Sequence, residues 1–404
     1  MRARWIRGVG VLLAIAGVLA FQLVSNPSVS WSEREPFGWP SGEVSADLNG
    51  AVATYTRIVD ESPMDLVHTV RIAAWAAQAY RLASGMPSEL PAMPGSSSTD
   101  AGTVAFTEVV AVLLANPVPA QRMRHVTDTI GAAARQHGLL IAASVLEIAA
   151  DDGYESIGQE IDPLSADTVA ERFRFGQVLG DFPKIEPQWG KLTLPEGSSI
   201  CEIPAPNLDN ATFTNDIATA RTLMTAVTED PGVVALIRHW VSTAETPLSE
   251  AHTAWSSVLT DALRDAGTSR TRHDEILTGF FIDSHRAMVK AWEAKWRYRV
   301  ASVGTLAQPE EPSAVYTTAS SPAYPDELSV LAAVGSYWLT QANTDRIRVE
   351  YQGSLIRGGR TRVLPDVATL EREVSDLSIV TGLHSRRDVD AGLALGRCIT
   401  AESR

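Results

Sequence analysis

Four side chains in this chain have the types that acid/base chemistry needs: Lys295, Asp326, Glu327 and His384. Asp326 and Glu327 follow Pro325 within SPAYPDELS (321–329), where a helical run begins. A helix start presents free backbone N–H groups and the positive end of the helix dipole, so an anion suits it. Two carboxylates at that place admit two readings. In the structural one Asp326 is the N-cap and Glu327 sits in the first turn. In the functional one the pair binds a cation or acts as a general base. His384 is the best candidate for proton transfer, against the plain reading of a buried histidine. Lys295 lies on a stretch that also carries Trp292, Trp296 and Tyr298, and is expected to pair with Asp326 or Glu327.

Other groupings are weaker. His384 and Asp388 are four residues apart and would share one face of a helix. With Asp326 and Glu327 they could imitate a hard-cation or zinc shell, but the signal is unspecific and no metal is assigned. His273-Asp274-Glu275 reads as a polar helix start, Arg297 and Arg299 as a solvated face, and His285 as structural. No P-loop, dinucleotide fingerprint or Gly-x-Ser-x-Gly elbow is present, and Ser329 has no nucleophile-elbow context.

The elements that must hold these residues are helical. The chain has 404 residues, 45% of them hydrophobic, enough for about two or three domains. Its net charge of −14, without a long basic run, argues against nucleic acid as a partner. At the N-terminus Arg2, Arg4 and Arg7 precede an uncharged apolar run from Gly8 to Val24. This is a membrane anchor or a cleaved signal over residues 1–30. The positive-inside rule places the remainder of the chain outside the cytoplasm, either held at the membrane or secreted. Cys201 and Cys398 are the only cysteines. In an oxidising compartment they could pair or remain two buried thiols, and sequence alone leaves both open.

Helical spacing dominates from residue 45 onward, with no convincing alternating strands, so the expected fold is all-α. One helix is expected to start at Ser62-Pro63-Met64-Asp65, with Ser62 as cap, and to end at Gly85. Two more follow in 103–150, the second bent or broken near Gly138. Residues 180–212 are rich in Pro and Gly and mark a connector. It divides an N-terminal helical bundle (45–179) from a C-terminal one (213–404), whose last helical pattern covers 366–404.

AADDG (149–153), EPQWGKLTLP (186–195), FIDSHRAMVKAWEAKWRYR (281–299), SPAYPDELS (321–329) and GLHSRRDVDAGLALGR (382–397) occur in this order. The sequence thereby resembles the bacterial vanadium-dependent haloperoxidases, whose active-site bundle is similar to that of type 2 phosphatidic acid phosphatases. The resemblance covers roughly residues 50–404 and implies an oxyanion site built from three motifs. These are a Lys with a later Arg-Pro, a Pro-Ser-Gly-His at a helix start, and a Ser-Arg ahead of an essential His. Such residues supply the fixed cations and close backbone amides that a multiply charged oxyanion needs.

Lys295 matches the first Lys, but Ser302 and Val303 stand where Arg-Pro would be. Pro325 is kept, while Asp326, Glu327 and Leu328 replace Ser, Gly and His. His384 matches the essential His, with Asp388 following, but Leu377 and Ser378 replace Ser-Arg. Two guanidinium groups are lost and two carboxylates gained, and each unit pair at a few ångströms is worth roughly 2–4 kcal/mol at an effective dielectric near ~20. Vanadate is therefore not expected as cofactor, nor haloperoxidase or phosphatase activity. Two functions remain. One is a cofactor-independent acid/base enzyme, an isomerase or cyclase, acting on a small hydrophobic secondary metabolite through His384, Lys295, Asp326 and Glu327. The other is an extracytoplasmic pseudoenzyme serving as a binding or scaffold protein. Oligomeric state is left open.

Overall fold

The computed structural model describes residues 30–33, 45–61, 64–159, 189–194, 200–207, 210–227, 231–241, 249–298, 300, 302–303, 322–343, 347–351 and 360–403. The apolar run 8–24, Ser62 and Pro63, Arg299, and much of the connector lie outside these residues. Among the described residues no helix is long and apolar enough to cross a membrane.

The first half contains α1 (Leu48–Glu61), α2 (Leu66–Ser84), α3 (Thr99–Leu113), α4 (Pro117–His125), α5 (Ala132–Ala150) and α6 (Tyr154–Gln159). A short 3₁₀ turn, Trp189–Lys191, precedes α7 (Asn210–Val227), α8 (Pro231–Trp240), α9 (Ser249–Asp265) and α10 (Arg270–Tyr298). After these come α11 (Glu327–Thr340), α12 (Val367–Val380) and α13 (Arg386–Glu402). The described chain is thus mainly helical, as the spacing predicts.

Several details differ from the sequence reading. The N-cap of α2 is Asp65, whose carboxylate accepts from His68 N, so the helix begins after the acid instead of at Ser62. Asp satisfies the free amides as well as Ser does. The break expected near Gly138 falls earlier, between α4 and α5. Gly138 lies inside α5, where the missing Cβ lets the helix approach α3: one there would come 2.5 Å from Ala101 O. The pattern 366–404 is two helices, separated where Gly382 adopts φ +70° and Ser385 caps the second. A small antiparallel sheet also forms, in the order β1 (Ser30–Glu33), β3 (Arg360–Leu364), β2 (Ile347–Tyr351). Its strands are four or five residues long, too short to be seen beside the helical periodicity.

α10 has 29 residues, about 43 Å at the helical rise, and packs against α2, α11 and α13. Its buried residues join one apolar core that runs from Leu48 on α1 to Ile399 on α13. Phe106 on α3 meets Phe281 at 6.2 Å between ring centroids, and the Tyr80 hydroxyl on α2 donates to Asp274 on α10. His273-Asp274-Glu275 does lie near the start of α10, but Asp274 is 3% exposed and serves there as a buried tie to α2. Cys201 and Cys398 form a disulfide that fastens the described end of the connector to α13.

Candidate functional site

Three pieces of backbone meet beside the C-terminal third of α10: the segment Pro322–Asp326, the first turn of α11, and the corner Leu383–Ser385 ahead of α13. Their approach is close because α13 carries glycine where it crosses α11. A Cβ at Gly392 would fall 2.4 Å from Asp326 O, and one at Gly396 2.6 Å from Val330 O. The corner is fixed by a capping box, in which Ser385 and Asp388 bond each other's backbone and side chain. Asp326 N in turn donates to Asp388 O at 3.0 Å.

This geometry brings all four sequence-selected residues together. Asp326 is the N-cap of α11, and its carboxylate accepts from Leu328 N at 3.3 Å, Ser329 N at 3.1 Å and the Ser329 hydroxyl. The same carboxylate lies 3.4 Å from His384 Nε2. His384 Nδ1–H donates to Ala323 O at 3.1 Å, since a carbonyl oxygen can only accept. Lys295 Nζ donates to Pro322 O and stands 3.4 Å from Glu327 Oε2, with the Trp292 ring centroid 5.6 Å away. Of the two partners expected for Lys295, Glu327 is the one at ion-pair distance. Lys295 and Asp326 are fully buried, while Glu327 and His384 keep 7% and 8% exposure.

The positions that break the motif pattern are part of the same packing. The Ser302 hydroxyl donates to Leu383 O, one residue before His384. Ser378 O accepts from His384 N and from the Thr381 hydroxyl, and Leu377 is in the core. The metal-shell reading fails on geometry. His384 precedes α13, and the Asp388 carboxylate turns back on Ser385, so the two do not share a helical face. Among the described residues the one group spaced for a metal is Cys201, Cys398 and Glu402, whose thiols are bonded to each other.

One neighbour was not legible. Asp65, the cap of α2, is raised above the ordinary carboxylate range, chiefly by burial and in lesser part by Glu327. The sequence marks Asp65 as an early helical acid but carries no sign that α2 points it toward Glu327. Asp65 also leads to a second polar cluster, since it raises the Tyr154 hydroxyl, which burial pushes up to about 12. There Arg71 bonds Asp152 through two donors, Trp75 Nε1 adds a third at 2.8 Å, and Arg71 lies over the Tyr154 ring. His285, read as structural, is buried beside this cluster, and burial lowers its imidazole to about 4. Arg297 is exposed and paired with Glu293, as a solvated face should be.

Comparison with known proteins gives no family model that matches and no curated protein that matches in sequence. Solved structures do match. A bacterial vanadium-dependent iodoperoxidase superposes with a TM-score of 0.70 at 16% identity, covering 91% of this chain and 97% of its own. A bacterial vanadium-dependent chloroperoxidase in its holo form gives 0.57 at 12% identity, covering 90% and 93%. Its apo-type counterpart gives 0.56 at 14%, covering 90% and 94%. The overlap extends over nearly the full length of both partners, and at these identities it speaks to architecture alone. By fold, this chain is vanadium haloperoxidase-like.

Proposed function

We propose that this chain keeps the haloperoxidase scaffold without its oxyanion chemistry and serves as an extracytoplasmic binding or scaffold protein. The observation that carries this reading is the Asp326 carboxylate on the first amides of α11. It takes the N–H groups of Leu328 and Ser329 and faces His384, so the place suited to an external anion is taken by one of the chain's own. Lys295 is likewise engaged by Pro322 O and Glu327. Ser302 and Ser378 supply no cation where the family motifs have arginine. The residues present do not suit vanadate or phosphate, and no step through either is assigned.

An anchor or signal over residues 1–30 accounts for export, and the Cys201–Cys398 disulfide suits the oxidising side of a membrane. Titration with orthovanadate and with phosphate, followed by a peroxide assay with iodide and bromide, tests the reading. No binding below the millimolar range and no halide oxidation are expected. Micromolar vanadate affinity with halide oxidation would sink it.

A second reading rests on the exposure kept by Glu327 and His384. Each belongs to a pair, Lys295–Glu327 and His384–Asp326, and each pair has one member that solvent reaches. Such pairs could move a proton on a small hydrophobic metabolite, in an isomerisation or cyclisation without cofactor. Metabolite profiles of a deletion strain and a His384→Ala strain separate the two. Identical changes in both support the enzyme. A wild-type profile in the His384→Ala strain beside a changed deletion profile supports the binding protein.

A further inference from the structure

Residues 200–207 lie as a strap along α13. Cys201 and Ile203 face inward, while Glu202, Pro204 and Ala205 face solvent. One end is fixed by the disulfide from Cys201 to Cys398, in the last part of the helix. At the other end Asn207 O accepts from Arg387 Nη1, in the first turn, at 2.8 Å. Cys398 and Arg387 are separated by about 16 Å at the helical rise, and the chain from Cys201 to Asn207 reaches about 20 Å when extended. The strap therefore stretches back along the helix toward its start, in a form that Pro204 and Pro206 favour.

Each of the three pieces of backbone that build the cluster sends one side chain to this strap. Tyr298, one turn beyond Lys295 on α10, donates to Ile203 O at 2.7 Å. Tyr324, between Ala323 and the cluster's Asp326, donates to Pro204 O at 2.8 Å. Arg387, just after His384, supplies the contact to Asn207 O. We infer that the Cys201–Cys398 disulfide is a latch on this strap, and that its reduction by a dithiol loosens the strap and opens the cluster at His384 to solvent. Cys398 is exposed, so a thiolate of the dithiol attacks its Sγ and Cys201 leaves as a thiolate that takes up a proton. The second thiol of the dithiol then displaces Cys398, which is protonated in turn. Two electrons and two protons reach the cysteines, and the dithiol becomes a disulfide. Near Cys201 the strap keeps Ile200 N on Glu402 Oε1 at 3.0 Å, a bond open to water. The inference concerns access to the cluster and not what the cluster binds, so it stands apart from the reading proposed above.

Amide hydrogen exchange of the full chain in detergent, oxidised and after reduction with dithiothreitol, tests this. The amides of Ala323, Asp326 and His384, bonded to Val300 O, Asp388 O and Ser378 O, report on the frame of the cluster. On reduction they are expected to exchange at least about tenfold faster, with the amides of α3 unchanged. Diethyl pyrocarbonate should modify His384 faster by a similar factor, and Cys201→Ser with Cys398→Ser should match the reduced chain. Tyr324→Phe removes one strap bond and keeps the disulfide, so it tests the strap even where the reduced chain loses its fold. It should speed the same three amides about threefold. Acceleration confined to the strap and the end of α13 would overturn the inference and leave the disulfide a local tie. Equal acceleration in α3 would overturn it too, because the disulfide would then set only global stability. A Tyr324→Phe chain that exchanges like wild type would show that the strap does not hold the cluster closed.

Discussion

Arg71 meets Asp152 through a fork, with Nε at 2.5 Å and Nη2 at 3.1 Å from its two oxygens, whereas Lys295 meets Glu327 at a single point 3.4 Å away. Asp65 stands between the surroundings of the two pairs, acting on Glu327 on one side and on Tyr154 on the other. The first is closed on itself: Asp152 also takes Trp75 Nε1 and Tyr154 N, and Arg71 also donates to Ala149 O. The second is looser, and one member of each of its ion pairs reaches solvent. A planar guanidinium fills a fixed fork, while an ammonium on a flexible stem is a point charge that can exchange partners. The difference separates a clamp that holds α2 to the end of α5 from a cluster that could still rearrange around a ligand.

The largest effect should come from opening the clamp. Arg71→Met leaves Asp152 as a buried carboxylate without its cation, and such losses cost about 3–5 kcal/mol. Lys295→Met should cost about 1–2 kcal/mol, since Glu327 can turn to water and the lost hydrogen bonds are few. Urea unfolding of both variants measures the two values side by side. Equal costs would erase the distinction between the clusters.

A smaller effect should appear on acidification, and it belongs to the clamp. Burial holds His285 and His68 near about 4 in the folded chain, with smaller contributions from Asp152 and Arg71. An unfolded histidine titrates near ~6.5, so between the two values the unfolded chain binds more protons. Stability is therefore full above ~6.5 and falls as pH drops through about 4. For His285 this amounts to about 2 kcal/mol between pH ~7 and ~5. Asp274 and Asp283, raised by burial to about 6, work in the opposite sense, adding stability at low pH that is lost as pH rises through about 6. His285→Phe should flatten the histidine part of the slope. An unchanged slope in that variant would mean that His285 takes up its proton in the folded state without cost.

Local signals of the fold were legible where a residue acts on its own backbone. Asp326 after Pro325 reads as an N-cap and is one, and the helix types from residue 48 onward follow the spacing. Signals that depend on what arrives from elsewhere were not. His384 and Asp388 look like one helical face until the capping box at Ser385 ends the resemblance. The Cys201–Cys398 pair spans 197 residues, and no spacing rule measures a distance that long. The clamp was invisible for the same reason, because Arg71 and Asp152 are 81 residues apart and each alone looks like a helical surface charge. The four site residues were found through their motif positions. Their partners Pro322 O and Ala323 O were not, since main-chain acceptors leave no mark in a sequence.

The smallest effect is also the one that separates charge from shape at α11. Asp326→Asn keeps a side-chain oxygen that can accept from Leu328 N and Ser329 N, so it should change stability by less than about 0.5 kcal/mol. Asp326→Ala removes the cap and should cost about 1 kcal/mol. Both remove the negative charge facing His384. If that charge is what excludes an external anion, phosphate should protect the Ala variant against thermal unfolding and should protect the Asn variant less, because its amide still covers the helix amides. Protection of wild type and both variants alike would show that an anion binds without displacing Asp326. The helix start would then be only a cap, and the second cluster no more adaptable than the first.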